Sequence, residues 1–314
     1  MKLKKMTAVF IAAMMMGAGA SAYTDMEENE ASALLTRLGI ISGYEDGSFR
    51  PDNTVTRAEA AVMAVKAIGF TDEDAAKYKD NMTSAEFRTD SRAKVTDFDD
   101  YDSAYWANAY IQLAMDNSII SGFDDNTFRP EETVTMAQLM TMLVGAVGYD
   151  TYAEATGGYP SGYLQWADVA GITEGLGSFN NDKKATRRDV MTAVKNMLEA
   201  PVCVIASYET AWDGRVVPML EIKDGEGADF QSLLTKRYDI YTADTKITDP
   251  SARPLKVRLL SSVNFDDEKV EKGDNKTVSV KVDEKSAQYV KEKGEYKMYI
   301  HAADNEYELI YADK

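Results

Sequence analysis

A motif that returns along the chain constrains its fold more than any other feature. Residues 43–59 read Gly-Tyr-Glu-Asp-Gly-Ser-Phe-Arg-Pro-Asp-Asn-Thr-Val-Thr-Arg-Ala-Glu. Residues 122–138 return as Gly-Phe-Asp-Asp-Asn-Thr-Phe-Arg-Pro-Glu-Glu-Thr-Val-Thr-Met-Ala-Gln, and a fainter copy over 176–189 sets Gly-Ser-Phe before Thr-Arg-Arg-Asp. The Phe precedes the Thr by the same step each time: Phe49 and Thr56, Phe128 and Thr135, Phe179 and Thr186. A constant step in three copies implies one supersecondary unit used three times.

Thr56-Arg57-Ala58-Glu59 has the pattern of a capping box, in which the Thr hydroxyl takes the third helical N–H and the Glu carboxylate reaches back to the Thr N–H. Thr135 and Gln138 keep both partners. Thr186 has the shorter Asp189 in the return position, so the third cap is expected to be the weakest. After each Thr the apolar residues fall at helical spacing: Ala60, Ala61, Ala64, Ala67 and Ile68; Leu139, Met140, Leu143, Ala146 and Val147; Val190, Met191, Val194, Met197 and Leu198. That spacing predicts helices with one buried stripe each. Shorter helices are expected upstream, over Ala31 to Leu38, Trp106 to Met115 and Gln165 to Ala170, so the unit is helix, Gly-rich loop, capped helix.

Arg57 and Arg187 stand in the first turn of such helices, where a cation opposes the helix dipole at ~0.3–1 kcal/mol when exposed. A negative partner is expected. It is either Glu59 or a neighbouring Asp, or an anionic ligand held jointly by the guanidinium and the free N–H groups of the helix start.

Residues 1–22 read as a secretory leader, with Lys2, Lys4 and Lys5, an apolar run from Met6 to Met16, and Ala20-Ser21-Ala22 before a cleavage point at Tyr23. Its removal leaves 32 basic residues against 52 acidic ones. That balance disfavours nucleic acid and anionic lipid as partners, and no further stretch is long and apolar enough to span a membrane. Cys203 is the single cysteine, so the chain has no internal disulfide.

Residues 71–97 read as a connector with a short helix around Asp72 to Lys79, and 150–162 as a linker loop. From Pro201 the period changes. Strands are expected over Val202 to Ala206, Val216 to Ile222, Tyr238 to Thr242, Leu255 to Leu260 and Thr277 to Val282, with a hairpin from Tyr296 to Ala302 and Tyr307 to Tyr311. Phe230 to Arg237 is the one helix expected among them.

Catalytic chemistry finds little footing. His301, the single histidine, and Cys203 lack the neighbours of a nucleophilic triad, and carboxylate pairs arise by chance in so acidic a chain. Neither Glu45-Asp46-Gly47 nor Asp124-Asp125-Asn126 has the ligand spacing of a calcium loop, and Asp and Gly suit turns in any case. Tyr44, Phe49, Phe123 and Phe128 are expected to face the core. No enzyme activity, metal or other cofactor is implied.

The quoted motif resembles the S-layer homology domain, whose repeats combine a Trp-Ala helix, a Gly-Ile-Ile-x-Gly-Tyr-x-Asp-Gly-x-Phe-x-Pro loop and a Thr-Arg-Ala-Glu helix. The likeness covers about residues 23 to 200, with repeats at 23–70, 98–149 and 163–200, and leaves 201–314 as a small β-rich domain. It implies a mainly α protein, with three helix-loop-helix repeats in a three-lobed bundle around the capped helices. It also implies binding of an acidic secondary cell wall polysaccharide, often with a pyruvylated terminal sugar, in grooves between repeats. The residues it assigns to those grooves are Gly43, Asp46, Gly47, Arg57 and Glu59 from the first repeat, Trp106 and Gln138 from the second, and Trp166, Arg187 and Asp189 from the third. Repeat one lacks the Trp, repeat two has Met136 for the Arg, and repeat three lacks the Asp-Gly loop. The expected role is an exported, non-covalent wall anchor. The alternative is a structural surface-layer protein whose β-domain makes the main contacts.

Overall fold

The computed structural model describes residues 23–82, 84, 93–102, 105–210, 216–224, 230–265, 268–270, 273–304 and 306–314. The expected leader lies outside them. The described chain divides into two units, 23–49 joined with Lys223–Lys314, and Arg50–Ile222. The sequence places one boundary at Pro201; by contacts, the first helix, α1 (Glu30–Arg37), instead groups with the C-terminal strands.

The unit Arg50–Ile222 contains α2 (Arg57–Ala67), α3 (Asp72–Asn81), α4 (Asn108–Asp116), α5 (Met136–Ala146), α6 (Asp150–Ala155), α7 (Ser161–Val169) and α8 (Arg187–Glu199). Helices α2, α5 and α8 begin at Thr56, Thr135 and Thr186, each with a complete capping box. They pack against one another in all three pairings. Before them, Val55, Val134 and Ala185 close a ring of backbone hydrogen bonds, Val55 N to Ala185 O at 3.1 Å, Val134 N to Val55 O at 2.9 Å and Ala185 N to Val134 O at 3.0 Å. All three side chains are buried. The repeat therefore closes on itself as a threefold knot of main chain, which satisfies polar groups that would otherwise lie unpaired in the core.

Two local expectations change. The third cap is as closely made as the first: Asp189 Oδ2 accepts from Thr186 N at 3.0 Å and Thr186 Oγ1 at 2.9 Å, while Glu59 Oε2 accepts from Thr56 N at 2.8 Å and Thr56 Oγ1 at 3.2 Å. Lys183 Nζ, 3.0 Å from Asp189 Oδ1, holds the shorter carboxylate in place. The buried surface of α5 is also wider than one stripe, because Met136, Ala137, Met142 and Val144 are buried beside Leu139, Met140 and Leu143. A helix with neighbours on several sides buries more than one face.

The stretch 150–162 is not a simple loop, since α6 forms within it and α7 begins at Ser161. Tyr149, ahead of α6, is buried, and its hydroxyl donates to Pro201 O at 2.9 Å. A two-stranded antiparallel ribbon, β1 (Cys203–Thr210) and β2 (Val216–Ile222), ends the unit, tied back by Cys203 N to Val147 O at 2.8 Å.

The other unit holds α1, α9 (Leu233–Tyr238) and β3 (Ile240–Ile247), β4 (Leu255–Leu259), β5 (Val263–Phe265), β6 (Glu268–Val270), β7 (Thr277–Lys281), β8 (Gly294–Ala303) and β9 (Glu306–Asp313). Strands β3-β4-β7-β9-β8 close into a barrel; β8 and β9 form the expected hairpin, and β5 with β6 a separate pair. Leu255, Val257 and Leu259 alternate inward toward Val278, Val280, Met298, Ile300 and Leu309. This period-2 burial fills the barrel with aliphatic side chains. The mainly α class is therefore corrected. The protein is 34% helical and 24% strand, an α and β chain with a closed barrel in one unit and the capped helices in the other.

Helix α1 packs on β9. Its Arg37 bonds Asp283 at 2.9 Å, Glu308 at 3.2 Å and Ser286 Oγ at 3.2 Å. Lys297 Nζ meets Glu30 at 3.0 Å, and the Tyr299 hydroxyl hydrogen bonds to the same carboxylate. Few of these partners are visible in the sequence, because they lie more than two hundred residues apart along the chain.

Candidate functional site

Each loop copy is built by an opening aromatic and an acid that the motif itself does not include. In the first, Tyr23 lies with ring centroid 4.9 Å from that of Phe49, and Asp25 Oδ1 accepts from Phe49 N at 2.7 Å. In the second, Phe98 lies 5.8 Å from Phe128, and Asp100 accepts from Phe128 N at 2.9 Å and Arg129 N at 2.7 Å. Gly43 and Gly122 leave room for those opening rings, since a Cβ would stand 2.7 Å from Tyr23 Cε1 and 2.0 Å from Phe98 Cε1. Gly47 and Asn126 occupy the same left-handed position, φ 79° and 61°, one by glycine and one by asparagine, which tolerates it.

Asp46 Oδ1 takes Ser48 N at 2.9 Å and Ser48 Oγ at 2.5 Å, and Asp125 takes Thr127 Oγ1 and Arg129 Nη2, each at 2.6 Å. These carboxylates hold their own turns. Phe49 and Phe128 are buried, Phe123 is half-buried against two guanidiniums, and Tyr44 is exposed at 37%, contrary to expectation.

Arg57 is 5% exposed. Its Nε donates to Phe128 O at 3.0 Å and Nη2 to Ser121 O at 3.1 Å, and the guanidinium carbon lies 4.6 Å and 4.9 Å from the ring centres of Phe123 and Phe128. The negative partner expected from the dipole argument is thus a pair of carbonyl oxygens and two ring faces rather than Glu59. Burial pulls the guanidinium down to about 10, and Glu132 partly restores it, so the charge persists at neutral pH.

The helix start is also occupied. Arg57 N donates to Glu132 O at 2.9 Å, Ala58 N to Pro130 O at 3.1 Å and Glu59 N to Thr56 Oγ1 at 3.2 Å. The same pattern serves α5, through Met136 N to Lys183 O at 2.8 Å, and α8, through Arg187 N to Asn53 O at 2.8 Å. Neighbouring repeats thus consume the N–H groups that an anion would need.

A pocket of about 220 Å³ opens beside this cap. Phe98, Tyr101, Tyr105 and Phe128 give it aromatic walls, and Asp100, Asn108 and Glu131 supply polar atoms. Burial, then its hydrogen bond to Glu131, raises the Tyr105 phenol above its ordinary value, and Glu59 adds to the same negative surroundings. Next to Tyr105, at 5.9 Å between rings, stands Trp106, 54% exposed.

None of the expected residues lines this pocket itself; Arg57 lies over its Phe128 ring and Trp106 beside its Tyr105 ring. Gln138 spends its Oε1 on Thr135 N at 3.0 Å. Trp166 is not a free platform like Trp106; it stacks on Tyr152 at 4.8 Å and Tyr149 at 5.5 Å and donates to Thr156 Oγ1 at 3.0 Å. Asp189 closes the third cap. Gly43, Asp46 and Gly47 fall in the barrel unit, and Arg187 and Asp189 in the helical one. Sequence reasoning missed Tyr105, Asp100 and Glu131; the shared aromatic-x-acid of Tyr23-Thr24-Asp25 and Phe98-Asp99-Asp100 is the signal that points to the Asp.

Other reactive groups lie apart. His301 is buried in β8, and burial pushes the Cys203 thiol up to about 11. Among the described residues no group of three or more His, Cys, Asp or Glu could hold a metal ion, and no helix is long and apolar enough to cross a membrane.

The model of the S-layer homology domain matches residues 23–61 and 97–140. The chain is 30% identical over 186 residues to the middle cell wall protein of Brevibacillus brevis, covering 59% of this chain and 16% of that protein. It is 32% identical over 146 residues to the surface layer protein of Brevibacillus choshinensis, covering 46% and 12%, and 31% identical over 102 residues to the cellulosome-anchoring protein of Acetivibrio thermocellus, covering 32% and 20%. It spans a fifth or less of the length of each. The two matched segments carry the same loop, opening acid and capping box and are S-layer homology repeats, and the chain is a secreted protein of the cell wall or surface layer.

Proposed function

We propose that the repeats dock this chain at the cell surface on a wall polysaccharide, with the pocket beside Trp106 as the seat of a sugar ring. The observation that carries this is a large exposed indole next to a pocket that mixes aromatic walls with carboxylate and amide groups. Apolar ring faces suit the C–H faces of a sugar, and a few convergent polar groups suit its hydroxyls. The role is docking rather than catalysis.

The finer reading is a polymer with an acidic substituent, such as a pyruvyl group on its terminal sugar. Its cationic partner is Arg57, which keeps its charge and has no protein partner for Nη1 among the described residues. Glu59 and Glu131 stand close by, so the site suits one localised anion rather than a run of them.

Sedimentation with purified walls tests this. Trp106→Ala is expected to weaken retention roughly tenfold, as for an anchoring indole in an interface, with no change in the thermal melt. Chemical stripping of the polymer is expected to abolish retention of the parent. Retention of Trp106→Ala equal to that of the parent would sink the assignment. The assembly reading has an observation of its own, since Ile205, Tyr208 and Met219 are exposed on the β1–β2 ribbon at 51%, 64% and 41%. It predicts that stripped walls still hold the protein.

A further inference from the structure

The barrel carries a cationic face that the docking reading does not use. On β3, β4 and β7 the alternation turns Ile247, Val257 and Val278 inward and Lys246, Arg258 and Thr277 outward. Those strands hold four cations, Lys246, Lys256, Arg258 and Lys281, and one anion, Asp244, in a chain whose formal net charge is −17. Lys246 and Arg258 are direct cross-strand partners. Like charges placed opposite one another destabilise an antiparallel pair, and an anion lying on the face would relieve that repulsion.

The available protein partners are weak. Lys246 reaches Glu295 at 3.1 Å and Lys281 reaches Glu306 at 2.7 Å, both on exposed side chains whose pairing contributes little and exchanges readily. Lys256 hydrogen bonds Ser279, and Arg258 has no ion pair among the described residues. At the edge of the strip, a pocket of about 450 Å³ adds Arg253, Ser279, Lys281 and Tyr307. Cations, a hydroxyl and part of an aromatic ring thus line one path across the outside of the barrel, with the Glu306 carboxylate, paired to Lys281, also in the pocket's wall.

We propose that the outer face of β3, β4 and β7, with the pocket beside Lys281, is a second binding site, for an anionic polysaccharide whose sugars carry carboxylates. The chain's overall negative charge opposes a densely charged nucleic acid, which carries one phosphate per ~1.7 Å of duplex, more than it opposes a polymer with one carboxylate per sugar. Tyr307 also lies against Phe265, with ring centroids 4.9 Å apart, so no free aromatic platform is offered to stacked bases. This site lies in a different unit from Trp106, so the two assignments fail separately.

The test uses the full chain on immobilised polygalacturonate at low salt. The parent is expected to bind and to be released as salt screens the contact. Lys256→Thr combined with Arg258→Thr, and Lys281→Thr alone, are each expected to weaken binding about tenfold or more. Lys77→Gln, which removes an exposed cation from the helical unit, is expected to bind as the parent does. Both sets of substitutions are on exposed strand positions where Thr is well tolerated, and an unchanged melt of the Lys281→Thr protein keeps the comparison sound if the double variant is destabilised. Absence of parent binding, equal binding by Lys281→Thr, or equal competition by neutral dextran would overturn the proposal. Displacement by a single-stranded oligodeoxynucleotide at matched charge would overturn it in favour of nucleic acid.

Discussion

Arg57 shows how a candidate ligand contact can also be a strut. Its guanidinium caps two carbonyl oxygens of the neighbouring repeat and lies between two rings. Arg57→Ala strands those carbonyls and opens the aromatic sandwich, so it is expected to cost about 2–3 kcal/mol in stability. Denaturant melts check this; a change below about 0.5 kcal/mol, within the range of an ordinary surface substitution, would mean the contacts carry no weight. Wall retention of that variant therefore has to be judged against its stability. The caps make a second case. Because all three boxes are complete, Thr56→Ala and Thr186→Ala are expected to lose similar stability, about 1 kcal/mol each. For Asp189, burial raises the carboxyl, but hydrogen bonds from Thr186 and the Lys183 ammonium outweigh it and hold the group below its ordinary 3.8. The unfolded chain therefore takes up the proton first, so this stabilisation is whole above 3.8 and is lost as pH falls through the lower native value. Asp189→Asn is expected to flatten the acid limb of a stability–pH curve. A curve of unchanged slope would contradict it.

Helices that look alike in sequence take different parts. Helices α4 and α7 each belong with a Trp-Ala pair, yet Trp106 is exposed while Trp166 lies against two tyrosines. The difference comes from α6, an extra helix whose Tyr152 covers Trp166 and has no counterpart beside Trp106 among the described residues. Trp166→Ala is accordingly expected to destabilise the helical unit by about 1–3 kcal/mol through two lost ring contacts, against less than about 0.5 kcal/mol for the exposed Trp106→Ala. Equal thermal shifts for the two variants would refute the distinction. In the sequence the two tryptophans are equivalent, because the segment that separates them reads only as a Gly- and Pro-containing loop.

For the molecule as a whole, the first helix belongs to the barrel. Arg37 joins Asp283, Ser286 and Glu308, and the Asp283 carboxyl is held below its ordinary value by hydrogen bonds from Ser286 and Arg37 despite its burial. Arg37→Ala leaves two carboxylates facing one another without their cation and is expected to destabilise the barrel by about 2–4 kcal/mol, near the cost of breaking a buried pair. A fragment 223–314 is likewise expected to melt lower than the same fragment mixed with a peptide 23–49. If the peptide leaves its melting temperature unchanged, the grouping is wrong. The helix starts, the repeat, the strand hairpin and the helix over Asp72–Asn81 were legible in the residues alone, because caps and hydrophobic periods join neighbours a few positions apart. The partners of Arg57, 71 residues away, and of Arg37, 246 residues away, were not. Nor was closure of the barrel, or the use of the first two N–H groups of α2, α5 and α8 by a neighbouring repeat. Those depend on which distant segments meet, and a local pattern states that a donor or a charge needs a partner without stating which one tertiary packing will bring.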